Sequence, residues 1–200
     1  MKLRQILLVL VAILAILGLY FVYALFIAFP KEWAGDGNTL DLSKLEPGDI
    51  IVCKGCTGAM ISPFMSLFGE WHHASMFIGN GKMIEAWVDG VRVVSVDMVK
   101  NANSVAVYRV NANDSVKQKA IEWALSKLNL PYDFKWITFV GGKEIEGDSY
   151  YCSELIWASY LTSEGPDLDN TPGWSWKYGK SVSPDDLVND NDVRLIEYSD

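Results

Sequence analysis

Two hundred residues with a formal net charge of −8 allow one ordinary domain and exclude bulk electrostatic attraction to nucleic acid or anionic lipid. Half of the residues are hydrophobic and eight are Trp, scattered along the chain, which excludes a disordered tail. The three cysteines are an odd number and leave one thiol unpaired wherever disulfides form.

The chain opens with Lys2 and Arg4 and then runs without a charge from Ile6 to Phe29. About 24 residues at about 1.5 Å each cover roughly 36 Å, enough to cross a bilayer with some tilt. A cleaved signal peptide has a shorter apolar core and a small-residue cleavage site. Here the run is long and ends in the Tyr-, Phe- and Pro-containing stretch Tyr20–Pro30. Residues 1–30 are therefore expected to form an uncleaved signal anchor. With its basic residues ahead of the span, the N-terminus is expected in the cytoplasm and the rest outside, in a single pass through the cell membrane. Lys31, just past the span, weakens that bias slightly. All 25 acidic side chains and all but two of the 17 basic ones lie beyond the span, so the exterior part is acidic.

Residues 31–44 contain Gly, Asn, Asp and Ser and read as a juxtamembrane linker to a domain over residues 45–200. Pro47-Gly48-Asp49 is a turn that launches a strand over Ile50–Cys53. Met60–Phe68 reads as a short helix with Met60, Ile61, Phe64, Leu67 and Phe68 on its buried side. His72–Ile78 is a strand by residue type, Gly79-Asn80-Gly81 a hairpin turn, and Lys82–Val88 the returning strand. Val91–Val96 and Val105–Val110 follow, rich in β-branched residues. Asp114 and Ser115 cap a helix to about Leu128, which Pro131 stops.

From Cys152 onward, Leu155, Ile156, Ser159 and Tyr160 keep the spacing of one helical face. Ser163–Ser181 is read as a long surface loop, Ser183-Pro184-Asp185-Asp186 as a capped turn, and Val193–Tyr198 as a last strand. The order predicts an α+β domain with a mainly antiparallel sheet packed against helices.

A thiol in the first turn of a helix meets unpaired N–H groups and the positive end of the helix dipole, and both favour the thiolate. Glu154, two residues on, sits roughly 200° around the helix. Cysteine hydrolases add a histidine that handles the proton and a group that orients it. Only His72 and His73 exist. As strand neighbours they point to opposite faces, and spacing alone does not choose between them.

Glu85 lies within the apolar Met83, Ile84, Ala86 and Trp87, where a carboxylate needs a partner. A two-residue Asn80-Gly81 loop pairs Gly79 with Lys82 and puts Glu85 opposite Met76, on the face of His72. A three-residue loop pairs Ile78 with Lys82 and puts Glu85 opposite Ser75, on the face of His73. A catalytic His73 therefore predicts the three-residue form, and a direct Gly79–Lys82 pair counts against it.

PGDII at Pro47–Ile51, HASMFIGNGKMIEA at His73–Ala86, PYDF at Pro131–Phe134 and YCSELIW at Tyr151–Trp157 occur in that order. Together they resemble the circularly permuted branch of the NlpC-type papain-like cysteine peptidases, the YiiX-like proteins, over about Leu45–Tyr160 and again at Ser183–Leu187. The resemblance implies a permuted papain-like fold, Cys152 as nucleophile, His73 as base and Glu85 as its orienter. It also implies cleavage of amide bonds in cell-wall peptides outside the cytoplasm. The related lecithin–retinol-type acyltransferases imply lipid or acyl substrates instead, but Tyr151-Cys152-Ser153-Glu154 departs from their cysteine surround. A tethered binding domain without activity is the third reading of this fold.

The expected partner is thus a peptide or lipid-linked amide, with the membrane engaged through residues 6–29. Tyr151 and Tyr132 are expected to line the cleft or to pack in the core, and the Cys152 backbone N–H to serve an oxyanion. Cys53 and Cys56 are expected either to pair with each other or to stay as two thiols. A redox role for the pair lacks a βαβ context, and zinc lacks a full ligand set, so no cofactor or metal is expected.

Overall fold

The computed structural model describes residues 3–26, 29–138, 141–175 and 178–200. Helix α1 (Leu3–Phe26) precedes β1 (Ile50–Lys54), α2 (Gly58–Met65), β2 (His73–Gly79), β3 (Lys82–Trp87), β4 (Gly90–Ser95) and β5 (Ser104–Val110). Then come α3 (Asp114–Ser126), α4 (Cys152–Thr162), α5 (Pro184–Asn189) and β6 (Val193–Ser199). The strands form one antiparallel sheet in the order β4-β3-β2-β1-β5-β6. Alternation along the strands divides the core. Ile50, Val52, Ala74, Met76, Ile84 and Ala86 face α3 and α4, while Ile51, Cys53, Phe77, Met83 and Trp87 face a second layer that includes Trp33 and Leu40.

Helix α4 carries Cys152 and packs on β2, β3 and α3. Its far end is fixed by Tyr160, whose hydroxyl donates to the Gly48 carbonyl at 2.5 Å. This contact explains the glycine of the Pro47-Gly48-Asp49 turn. Its φ is +92°, and a Cβ there would come within 2.8 Å of the Tyr160 oxygen. Asp49, fully buried, is paired with Arg109 from β5 through two hydrogen bonds of 2.8 Å.

Four expectations need correction. Residues 31–44 are not a free linker: Trp33 and Leu40 are buried in the second layer, because a large apolar side chain there completes the core. Helix α2 ends at Met65, so Leu67, expected inside, is 73% exposed, while Ile61 is buried. The side chains of Met60 and Phe64 lie outside the described residues. The stretch 163–181 is not wholly a surface loop, since Leu168 is fully buried against the α4 layer.

The β2–β3 hairpin is the fourth. Gly79 pairs directly with Lys82 around a two-residue Asn80-Gly81 turn with φ of +52° and +68°, not around a three-residue loop. Yet Phe77 pairs with Met83 and Met76 with Ile84, which puts Ser75 opposite Glu85. Ile78 is the extra residue of a β-bulge, and it restores the face that the turn alone would have lost.

The span expected over Ile6–Phe29 includes residues 27–28, which lie outside the described residues. Among the described residues no helix is long and apolar enough to cross a membrane, so the anchor rests on the sequence run.

Candidate active site

Cys152 is the first residue of α4 and the one free cysteine; it is 6% exposed. His73 begins β2 and is 3% exposed, and Glu85 in β3 is fully buried. The bulged register brings both onto one face, where His73 Nε2 and Glu85 Oε2 are 2.7 Å apart. With Nε2 engaged by Glu85, Nδ1 is the ring nitrogen left for the Cys152 sulfur.

The electrostatics follow from this contact. Burial pushes the Cys152 thiol up, but the adjacent His73 charge and hydrogen bond, helped by the Ala74 backbone N–H, hold it below the usual thiol value. Burial pulls His73 down, and the Cys152 sulfur and then Glu85 outweigh it, raising the imidazole to about 9. Glu85 is likewise opposed by burial and kept below the usual carboxylate value by His73, Arg92 and Trp33. The three groups favour a thiolate–imidazolium pair backed by a carboxylate.

Two residues that support Glu85 were not singled out from the sequence. Trp33 Nε1 donates to Glu85 Oε2 at 2.8 Å, and its ring meets His73 edge-on at 5.4 Å. Arg92 Nε donates to Oε1 at 2.9 Å, with Nη2 2.8 Å from the same oxygen. Arg92 was within reach of sequence reasoning: it stands opposite Glu85 across the β3–β4 hairpin, an opposite-charge cross-strand pair that the two-residue Val88-Asp89 turn positions. Trp33 had only one signal, a lone aromatic in a polar stretch.

The chain between α1 and the sheet is pinned around these groups. Trp87 Nε1 donates to the Pro30 carbonyl at 2.8 Å, Arg92 Nη1 to the Lys31 carbonyl at 2.7 Å, and Ala34 N–H to the Cys56 carbonyl at 2.9 Å. Trp87 also meets His73 edge-on at 4.7 Å. Cys53 and Cys56 are joined in a disulfide. Neither sulfur is then a thiolate, so the pair cannot ligate zinc.

His72 is occupied elsewhere. Its Nδ1 accepts from Gly55 N–H at 3.2 Å, and Nε2 pairs with Ser66 Oγ at 2.9 Å. Burial, and then Lys54, lowers it to about 4, which keeps it neutral beside the site.

Tyr132 and Tyr151 both line the cleft with Cys152. The Tyr151 hydroxyl accepts from Val182 N–H at 3.0 Å, which ties the cleft wall to α4. Burial, and then the Cys152 charge, pushes the Tyr132 phenol well above its ordinary value, so it stays an O–H donor. Glu154 accepts from Tyr151 N–H at 3.1 Å and Glu144 N–H at 2.7 Å. Burial dominates its shift to about 8, so at neutral pH it is mostly uncharged and does not oppose the thiolate.

Residues 44–197 match the model of the permuted papain-like amidase enzyme, YaeF/YiiX, C92 family. The chain is 31% identical over 103 residues to the uncharacterized protein YycO of Bacillus subtilis (strain 168), covering 50% of this chain and 41% of that protein. The matched part is thus less than half of that relative's length. The crystal structure of the metalloprotein yiiX from Escherichia coli O157:H7 superposes with a TM-score of 0.62 at 21% identity, over 77% of this chain and 97% of that one. At that identity the likeness concerns the fold.

Proposed function

Because the chain belongs to the permuted papain-like amidase family of the YaeF/YiiX type, we propose that it is a membrane-anchored cysteine hydrolase that cleaves amide bonds outside the cytoplasm. The observation that carries this reading is Cys152 at a helix N-terminus beside His73, whose other nitrogen is held by Glu85 at 2.7 Å. The Cys152 thiolate attacks the amide carbon, forming an S–C bond. His73 gives its proton to the leaving nitrogen as the C–N bond breaks. Water, losing a proton to His73, then hydrolyses the thioester and frees the acid and the thiolate. The Cys152 backbone N–H and the Tyr132 hydroxyl are the donors for the oxyanion.

The anchor in this reading is the uncharged run Ile6–Phe29, and it is supported by the sequence. The described side chains from Arg4 to Tyr20 are all exposed, so the domain does not cover this run. Cell-wall peptides and lipid-linked amides are the two substrate classes expected from the sequence.

The test uses the full chain in nanodiscs and its Cys152→Ala variant. Thiol alkylation is titrated against pH, and amide, ester and thioester substrates are compared. A depressed Cys152 titration with hydrolysis that disappears in the variant supports the reading. An ordinary thiol titration with hydrolysis intact in the variant overturns it.

A further inference from the structure

Away from the cleft, a cavity of about 700 Å³ opens between the turn ahead of β1 and the first turn of α3. That is the size of a ligand site. Glu46 and Pro47 line it from the turn, and Asp114, Lys117 and Gln118 from the helix. Lys117 is the unusual residue. It is 8% exposed, and among the described residues its ammonium has no hydrogen bond or ion pair. Its stem packs over Gly48, where a Cβ would come within 3.0 Å of the Lys117 Cβ and Cγ. The ammonium is thus the part left to face the cavity. A cation withdrawn this far from water without a partner is costly, and an anion brought beside it relieves that cost. The helix end itself is already capped, since Asn113 Oδ1 accepts from Val116 N–H at 2.9 Å.

The rest of the lining narrows the ligand. Asp114 stands one turn before Lys117, a spacing that puts both on one face of the helix. Its carboxylate is exposed and likewise has no partner among the described residues. Glu46 adds a second carboxylate, 2.6 Å from Arg109 Nη1. Gln118 Nε2 donates to Glu122 Oε1 at 2.9 Å, which leaves the Gln118 carbonyl oxygen to accept. A phosphate or sulfate would be repelled by the two carboxylates, and a metal ion by the ammonium. A molecule with one charge of each sign satisfies both.

We propose that this cavity binds an amino-acid zwitterion, free or as a short peptide. Its carboxylate meets Lys117, and its ammonium meets Asp114 and the Gln118 carbonyl oxygen. The site lies apart from the reacting groups. Gly48, under Lys117, accepts from the Tyr160 hydroxyl, and Tyr160 stands about 12 Å along α4 from Cys152. Binding there does not depend on the amidase reading.

Ligand-observed NMR titrations of the full chain in nanodiscs test this. Alanine and alanyl-alanine are the probes, and N-acetylalanine, alanine amide and sodium sulfate the controls. Saturable binding of alanine or its dipeptide is expected, at least about ten-fold tighter than that of any control. The tighter of the two probes identifies the source. Lys117→Met keeps the stem over Gly48 and removes the charge, and Asp114→Asn removes the charge of an exposed side chain. Each loses one charge-assisted contact and is expected to weaken binding by about ten-fold or more. Cys152→Ala, remote from the cavity, is expected to bind as the parent does. Equal binding of alanine, N-acetylalanine and alanine amide overturns the inference, as does an affinity unchanged in Asp114→Asn and Lys117→Met. Absence of saturable binding of both probes below about 10 mM overturns it too.

Discussion

Trp33 Nε1 and His73 Nε2 meet the same oxygen, Oε2 of Glu85, at 2.8 and 2.7 Å. One carboxylate oxygen thus orients the imidazole and is itself oriented by a residue from the segment that follows α1, while Arg92 occupies the other oxygen. A Trp33→Phe substitution keeps a ring against His73 and removes only the donor. Losing one partner of a buried acceptor costs about 1–3 kcal/mol, which urea unfolding will read. The freer carboxylate is also expected to hold His73 less well, lowering kcat/KM while KM changes little.

The coupled pair sets the pH profile. His73 lies above its ordinary value, at about 9, so its proton is bound throughout the neutral range and lost as pH rises through about 9. Cys152 lies below the usual thiol value. Activity is therefore expected to rise on the acid side as the thiolate forms and to fall on the alkaline side near 9, these being properties of the pair. Glu85→Gln removes a charge that raises His73, so the alkaline limb is expected to move to lower pH. Iodoacetamide alkylation and kcat/KM, both against pH, check this.

Tyr132→Phe tests the oxyanion donor. Removing one such donor costs about a hundred- to thousand-fold in kcat. Single-turnover rates should fall by that order while iodoacetamide alkylation of Cys152, which needs no oxyanion donor, stays close to that of the parent.

The individual strands and helices were legible because alternation and helical spacing are local. The resemblance carried by four ordered motifs pointed to Cys152, His73 and Glu85, and the structure brings these three together. The hairpin register was not legible. The Asn80-Gly81 turn specifies one register, and the bulge at Ile78 changes it without a signal in residue type. Trp33 was read as linker because its neighbours are polar, and its partner Glu85 lies 52 residues away. Leu168 was hidden in the same way, inside a stretch whose composition is that of a surface loop.

The bulge yields a prediction of its own. Deleting Ile78 leaves Gly79 opposite Lys82 and Phe77 opposite Met83, so the ladder becomes regular and Glu85 stays opposite Ser75. Activity is expected to survive, with about 1–3 kcal/mol of stability lost from the removed side chain. A variant with one residue deleted between Lys82 and Glu85 should instead turn the carboxylate to the other face and lose hydrolysis. Paired kcat/KM and urea midpoints separate the two.

Replacing Cys53 and Cys56 together by Ala opens a short loop, worth about 2 kcal/mol. Because the Cys56 carbonyl holds Ala34 beside Trp33, hydrolysis is expected to weaken along with stability. Retention of full activity at unchanged Tm would show that the disulfide bears on neither.

The hydrogen bonds that Trp87 and Arg92 donate to the carbonyls of Pro30 and Lys31, and that the Ala34 N–H donates to the Cys56 carbonyl, have a mechanical meaning. A flexible tether of about 14 residues would let a domain roam roughly 20 Å from its point of attachment. Clamped at its first residues, this chain has almost no slack. On the proposed anchoring, a domain clamped in this way would be held near the bilayer rather than at the end of a loose tether.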